Sequence, residues 1–246
     1  ALAAAFHADL CQIYTDVDGV YTADPRVVPN AKKLPEITFA DMLELASQSA
    51  QVLHNRSVEL AKKYHVNMEV VSSLKNIPGT KVKEVIKLEK TNIGGVAKMD
   101  NFARFSLVGL EDCPGVAFKV FSLLSRHNVN VDIILQSVGR SGSKDISFTC
   151  PLSSLDDARR VLEENKDMLE YDSIEVDDNV AKISLVGAGM MTHVGVASDM
   201  FEALYDAGIN IQMIATSEIR ISVLVNKDDA NRAIKVVHDK FFGNED

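Results

Sequence analysis

The sequence predicts a mixed chain, an α/β segment followed by α+β modules, and three observations carry that prediction. Residues 10–100 alternate short apolar runs with amphipathic stretches of helical period. Beyond residue 100, one order of strand, glycine loop, helix, two strands and helix occurs twice. The composition is that of a folded protein, with 246 residues of which 46% are hydrophobic and 25% charged, enough for two or three compact domains.

Taken in order, the start Ala1-Leu2-Ala3-Ala4-Ala5-Phe6 reads as the last turns of a helix. It lacks a basic flank and is far shorter than the roughly 20 residues a membrane span needs, so neither an export signal nor a membrane anchor is expected. With no initiating Met, the chain is expected to be part of a longer protein. An apolar strand at residues 10–14 is followed by a turn at Asp16-Val17-Asp18-Gly19 and a loop punctuated by Pro25, Pro29 and Pro35. Thr38-Phe39-Ala40-Asp41 is a helix start, its hydroxyl able to cap the first turn, with Met42, Leu43, Leu45 and Ala46 on one face. A second helix over 52–64 puts Val52, Leu53, Val58, Leu60 and Ala61 inward and Lys62 and Lys63 outward. A buried strand at 68–71 and the Pro78-Gly79 turn close this part.

The repeat is exact at several positions. Gly115, Val116, Ala117, Phe121, Asn130, Ile134 and Ser137 recur 80 positions later as Gly195, Val196, Ala197, Phe201, Asn210, Ile214 and Ser217. Each copy predicts strand (103–108; 181–186), glycine loop, helix of some twelve residues, strand (129–136; 209–215), strand (145–149; 220–225) and helix (155–163; 228–241). A further strand at 171–176 follows the first copy, giving the ferredoxin-like βαββαβ arrangement. The first copy has a hairpin loop at 139–143 that the second lacks, and the second has two more residues before its glycine.

Charge and cysteines narrow the function. Lys+Arg 26 against Asp+Glu 35 gives −9, with no long basic run, so neither nucleic acid nor an anionic membrane is an expected partner. Cys11, Cys113 and Cys150 are odd in number and far apart, which predicts no disulfide framework and no zinc or other metal site, and fits a reducing cytoplasm. Among ferredoxin-like modules, RNA binders expose aromatics on a basic sheet and metal carriers pair thiolates in the loop; neither pattern is present, which leaves ligand sensing.

Three segments can carry chemistry. In Glu111-Asp112-Cys113-Pro114-Gly115-Val116 a glycine opens a helix whose free amides suit a carboxylate, and Asp112 can meet an ammonium group. The common use of such a triplet is a plain cap and tight turn. Its recurrence at Gly195, and Asn130, Asp132 and Gln136 on an otherwise apolar strand, favour a ligand-lined interface at a sheet edge. The loop from Gly187 to Gly195 is spaced wrongly for a dinucleotide fingerprint, its third glycine coming six positions after Gly189, and His193 reads as a loop-capping residue, not a base. Residues 15–26 form the densest polar stretch and follow a strand end, where open α/β sheets bind ligands. There Asp16 and Asp18 can hold a ribose or metal, Tyr21 can stack on a base and Arg26 can pair with phosphate; the alternative is a solvated turn.

These residues resemble the aspartate kinases over essentially the whole chain. The resemblance rests on TDVDGVYTADPRVVPNAKKLPEITFADMLELAS, VLHNRSVELAKKY, LVGLEDCPGVAFKVF with NVNVDIILQ, and LVGAGMMTHVGVASDMFEAL with GINIQMIATSEIRISVLV. It implies the C-terminal part of an amino-acid kinase domain at 1–90, a first ACT domain at 91–176 and a second at 177–246, with a strand near 94–99 completing the second ACT sheet. It implies an ATP-binding stretch at Thr15, Asp16, Tyr21, Thr22, Ala23, Asp24, Pro25 and Arg26. It implies an effector site at Asp112, Cys113, Pro114, Gly115, Val116, Ala117, Asn130, Val131, Asp132 and Gln136, with a counterpart at Val196, Ala197, Asn210, Ile211 and Ser217.

The implied activity is transfer of phosphate from ATP, with Mg²⁺, to the β-carboxylate of aspartate, at the head of lysine, threonine and methionine synthesis. Lysine or threonine is the implied effector, and a homodimer through the ACT domains, with or without a full-length catalytic chain, the implied assembly. The alternative is a separately made regulatory subunit acting in assembly. The family's lysine-containing phosphate motif and its Ser/Thr-rich aspartate segment would precede Ala1, so no catalytic residue is assigned within this chain, and it is expected to be catalytically incompetent alone. Two family prolines are replaced, at Asn55 between His54 and Arg56 and at Val194 between His193 and Gly195, which is expected to loosen each loop.

Overall fold

The computed structural model describes residues 1–48, 53–84, 93–138, 142–187, 190 and 194–243. They form two compact units, Ala1–Met99 with Lys182–Asp246, and Asp100–Ala181. Val52 of the second expected helix, 139–141 of the expected hairpin loop, and 188, 189 and 191–193 of the second glycine loop, His193 included, lie outside the described residues.

In the first unit a short helix α1 (Leu2–Ala5) precedes β1 (Leu10–Thr15), β2 (Glu36–Thr38), α2 (Phe39–Gln48), α3 (Asn55–Lys63), β3 (Asn67–Ser72) and β4 (Thr80–Lys83). The sheet order is β1-β3-β4-β2, with β1 parallel to β3, as a helical crossover requires. Thr38 starts α2 as its sequence predicts: the Asp41 amide donates to Thr38 Oγ1 at 3.0 Å, and that hydroxyl donates to Asp41 Oδ2 at 2.8 Å. His54 caps α3 by accepting from the Arg56 amide at 3.2 Å. Asn55 is therefore the first helical residue, a position that tolerates proline but does not require it, and the expected loosening of a loop does not apply there.

The same unit holds a second sheet, of β5 (Gly95–Met99), β10 (Val180–Val186), β11 (Met213–Ser217) and β12 (Arg220–Asn226), with α7 (Val196–Asp206) and α8 (Ala230–Phe242). Its order is β11-β12-β10-β5, and β5 runs antiparallel to β10 with Met99 opposite Lys182. Ala97 and Val186 of this sheet share one apolar cluster with Ile37, Phe39, Met42 and Leu45, so the kinase-like segment and the second module have a common core.

The second unit is β6 (Phe102–Glu111), α4 (Val116–Arg126), β7 (Ile134–Val138), β8 (Ser143–Pro151), α5 (Leu155–Glu164), α6 (Lys166–Leu169) and β9 (Ser173–Asp177), in order β7-β8-β6-β9. Phe105 and Phe148 stack at 5.2 Å, and Phe121 meets Phe148 edge-on at 5.8 Å. The bounds of β8 and β9 shift by about two residues from expectation, and two elements differ further. β6 continues past 108 to Glu111, through a register shift at Gly109, whose φ of 78° suits glycine and whose amide donates to Asp145 Oδ1 at 2.9 Å. β7 begins at Ile134, not at 129; Val129 and Ile133 are buried, but their apolar pattern belongs to an approach segment joined to β8 by Asp132 and Thr149 backbone bonds.

Among the described residues no helix is long and apolar enough to cross a membrane.

Candidate functional site

Gly115 and Gly195 occupy the same place in the two modules, the position preceding α4 and α7, and both are left-handed, at φ 96° and 103°. A Cβ added at either would meet nothing within 4 Å, so glycine is there for its backbone angle and not for space. Among the described residues neither helix has a side-chain cap, and the first amides of an α-helix have no partner within the helix. Each module therefore presents first-turn amides without a side-chain cap, and each has an edge strand, β7 or β11.

The residues expected to bind effector divide by burial. Asp112, Pro114, Gly115, Asn130, Asp132 and Gln136 are exposed in the first module, and Asn210 and Ser217 in the second. Cys113, Ala117 and Val131 pack against the first module's core, while Ala197 and Ile211 are half-buried. Val116 and Val196 are core side chains, so these two offer a ligand only their N–H groups. Asp112 is already engaged: Lys144 Nζ lies 2.7 Å from its Oδ1. Lys144 escaped the sequence reading, although its place two residues into β8, opposite Leu110 near the end of β6, brings it to this loop.

The first unit holds the other polar segment. Thr15 donates to Asp16 Oδ1 at 3.1 Å, and Asp16 is exposed at the carboxyl end of β1. Asp18 is held by Lys75 Nζ at 2.9 Å. Arg26 clasps Asp24 in two parallel bonds, Nε to Oδ1 at 3.0 Å and Nη2 to Oδ2 at 2.8 Å, which holds the Asp24 carboxyl below the usual carboxylate range. Tyr21 is half-buried and Pro25 exposed. Thr22 and Ala23 are buried, and the Thr22 hydroxyl is taken by His238 Nε2 at 2.8 Å, so its side chain faces α8. No group of three or more His, Cys, Asp or Glu side chains gathers among the described residues in a way that would hold a metal ion. Cys150 is buried and its thiol is pushed up to about 11, which keeps it unreactive at neutral pH.

Comparison with known proteins adds three findings. The ACT domain model matches residues 105–165 and 183–241, and the amino acid kinase family model matches residues 1–72. The aspartokinase of Corynebacterium efficiens is 46% identical over 246 residues, 98% of this chain and 58% of that protein; the aspartate kinase of Pseudomonas putida is also 46% identical, over 98% and 59%. The chain thus spans about three fifths of the curated relatives it matches.

Among solved structures, Clostridium acetobutylicum aspartate kinase superposes with a TM-score of 0.88 at 29% identity, over 98% of this chain and 56% of that one. A structure of aspartokinase alpha and beta subunits matches at 41% identity and TM-score 0.57, over 61% of this chain and 98% of that one. E. coli aspartokinase III, solved in complex with aspartate and ADP and in complex with lysine and aspartate, matches at 30% identity with TM-scores of 0.83 and 0.79, over 98% of this chain and 54% of that one.

Proposed function

This chain belongs to the aspartate kinase family, and from that premise we propose that it is the amino-acid-sensing portion of an enzyme that phosphorylates the β-carboxylate of aspartate from ATP. The observation that carries the reading is the pair of left-handed glycines, Gly115 and Gly195, each opening a helix without a side-chain cap at the same place in two repeated modules. An amino acid has the two groups such a place can recognise. Its α-carboxylate suits the amides of Val116 and Ala117, and its α-ammonium suits the Asp112 carboxylate; Asn130 and Asp132 lie past the other end of α4 and Gln136 in the middle of β7, so one module does not bring them to Asp112. The second module offers Val196, Ala197, Asn210, Ile211 and Ser217 but no acid at the place of Asp112, so the two modules differ in what they ask of a ligand. The effector is lysine or threonine, and lysine has the support of the E. coli enzyme's complex with it.

ATP is a substrate of the whole enzyme, and the segment from Thr15 to Arg26 supplies part of its site. Tyr21 offers a ring to the base and Asp16 a carboxylate to the ribose. Arg26 brings a cation to the phosphates, held ready in a fixed plane by Asp24. Phosphoryl transfer depends on several cationic groups gripping the phosphates, which Arg26 alone does not provide.

A second copy of the chain is the natural partner. β7 is exposed along its whole length as an edge strand, with Ile134 50% and Val138 85% exposed, and an unpaired apolar edge is a template for strand pairing. Three cysteines without a disulfide fit the cytoplasm.

The test is a thermal melt of this chain against single amino acids at millimolar concentration. At about 100 times its Kd a ligand adds roughly 2.7 kcal/mol, and at this size the midpoint should rise by about 5–10 °C. A rise with lysine or threonine that Asp112→Ala abolishes supports the sensor. No rise with any amino acid favours the second reading, a regulatory subunit acting in assembly, which has the support of the Thermus thermophilus regulatory subunit, 35% identical and matched over 99% of its length.

A further inference from the structure

Two consecutive residues near the end of the chain reach the loop between β1 and β2. His238 Nε2 lies 2.8 Å from Thr22 Oγ1, and Asp239 Oδ1 accepts from Asn30 Nδ2 at 2.8 Å. Both bonds leave α8, and both end on one loop, eight positions apart. His238 is completely buried in a helix whose outer turns are solvated, and its ring stacks on Phe242 at 4.9 Å, which fixes its plane. A buried imidazole needs a partner to offset its lost hydration, and among the described residues Thr22 is the one that Nε2 finds.

Thr22 is engaged from every side. Its amide donates to Lys32 O at 2.9 Å, its carbonyl accepts from the Val96 amide at 2.7 Å, and its hydroxyl accepts from the Lys32 amide at 2.9 Å. Val96 lies in β5, the strand that α8 packs against. The second ACT module therefore holds one residue of the loop by a strand backbone and a helix side chain together. Gly95 makes the approach possible, since a Cβ there would stand 2.8 Å from Thr22 O. Tyr21, Asp24 and Arg26 lie within four positions of Thr22 in the same loop.

We propose that His238, seconded by Asp239, is a positioning residue for residues 20–34, and that the second ACT module sets the order of the nucleotide segment through this grip. The inference rests on the reading of residues 15–26 as that segment. A purely structural role for the pair would stabilise the whole unit evenly; a positioning role acts on the loop first.

Amide hydrogen exchange on the full chain, without ligand, separates the two. His238→Leu and Thr22→Val remove the bond from its two sides, so the loop-side variant reads the same bond should His238→Leu not fold. His238→Gln and Thr22→Ser keep a hydrogen-bonding atom in place. In the first pair the amides of Thr22, Val28 and Leu34 should exchange about tenfold faster than in the parent chain, while Ile183 in β10 and Val223 in β12 keep their rates. In the second pair all five should stay within about twofold of the parent. Equal loop rates in all variants, or a rise in β10 and β12 matching that in the loop, would overturn the proposal. Loop amides indifferent to the variants, in a chain still stabilised by lysine or threonine, would remove this inference and leave the sensor; a responsive loop in a chain no amino acid stabilises would do the reverse.

Discussion

Lys144 Nζ stands 2.7 Å from Asp112 Oδ1, where the proposed effector would place its own ammonium. The acid is 45% exposed and the lysine 25% exposed, so the pair is a weak, partly solvated one, and a ligand has little to displace. Lys144→Met should tighten effector binding by about two- to fivefold, and Asp112→Asn should weaken it by about tenfold. Titration calorimetry with lysine and with threonine reads both. A looser complex with Lys144→Met would mean that the lysine itself touches the ligand.

The exposed edge of β7 makes a second test. Val138→Lys places a charge at the most exposed apolar position of that strand. The fold of a single copy should tolerate it, with a melt within about 0.5 kcal/mol of the parent, as for a surface site. Sedimentation equilibrium should show the mass fall from two copies to one.

Glycines of different kinds should fail differently. Gly115→Ala and Gly195→Ala face only the left-handed backbone, which costs about 1 kcal/mol each. Gly95→Ala drives a Cβ against the Thr22 carbonyl, and the strand or the loop must move. Its stability should drop by two to three times as much, about 2–3 kcal/mol, as for other overpacked sites.

Phe148 separates the two units thermodynamically. It stacks on Phe105 and takes the edge of Phe121, all within the unit Asp100–Ala181. Phe148→Ala should cost that unit about 3–5 kcal/mol. Calorimetry should resolve an early transition that carries the exchange of β6 and β8 amides, while those of β10 and β12 stay protected. One unsplit transition at a lower midpoint would show that the units unfold together.

Acid should act through His238. Burial holds its pKa below the ordinary 6.5, against the opposing pull of Asp239 and with the help of Lys32. The unfolded chain therefore takes the proton first as pH falls. The contribution is fully present above about pH 6.5 and is lost as pH drops from there toward the lower folded value. Between pH 6.5 and 5 the melting midpoint of the parent should fall more steeply than that of His238→Gln. Parallel curves would mean that the buried ring does not titrate in this range.

The duplication was legible because an 80-residue offset preserves residue types whose reasons are local: Gly115 and Gly195 for backbone angle, Val116 and Val196 for core, Asn130 and Asn210 at the approach to the edge strands. The Thr38 cap was legible for the same reason. What escaped was tertiary. Thr22 stands in a polar loop and reads as a ligand residue, yet its hydroxyl is spent on a histidine 216 positions away. The start of β7 is not legible in the sequence, because Val129 and Ile133 are buried like strand residues while the ladder starts at Ile134. The serine pairs Ser106–Ser147 and Ser184–Ser222, at 2.9 and 2.8 Å, mark the same duplication at offsets no longer equal to 80, and so went unseen.

Met99 and Lys182 are opposite one another on adjacent antiparallel strands, so the 82 residues between them leave and re-enter the second sheet at points about 5 Å apart. That is the spacing an ordinary two-residue hairpin turn bridges. In the language of protein engineering, the first module is a cassette carried between two neighbouring strand ends. The same pair of neighbouring ends means that the 82 residues between them can change in length or sequence without altering the register of β5 against β10.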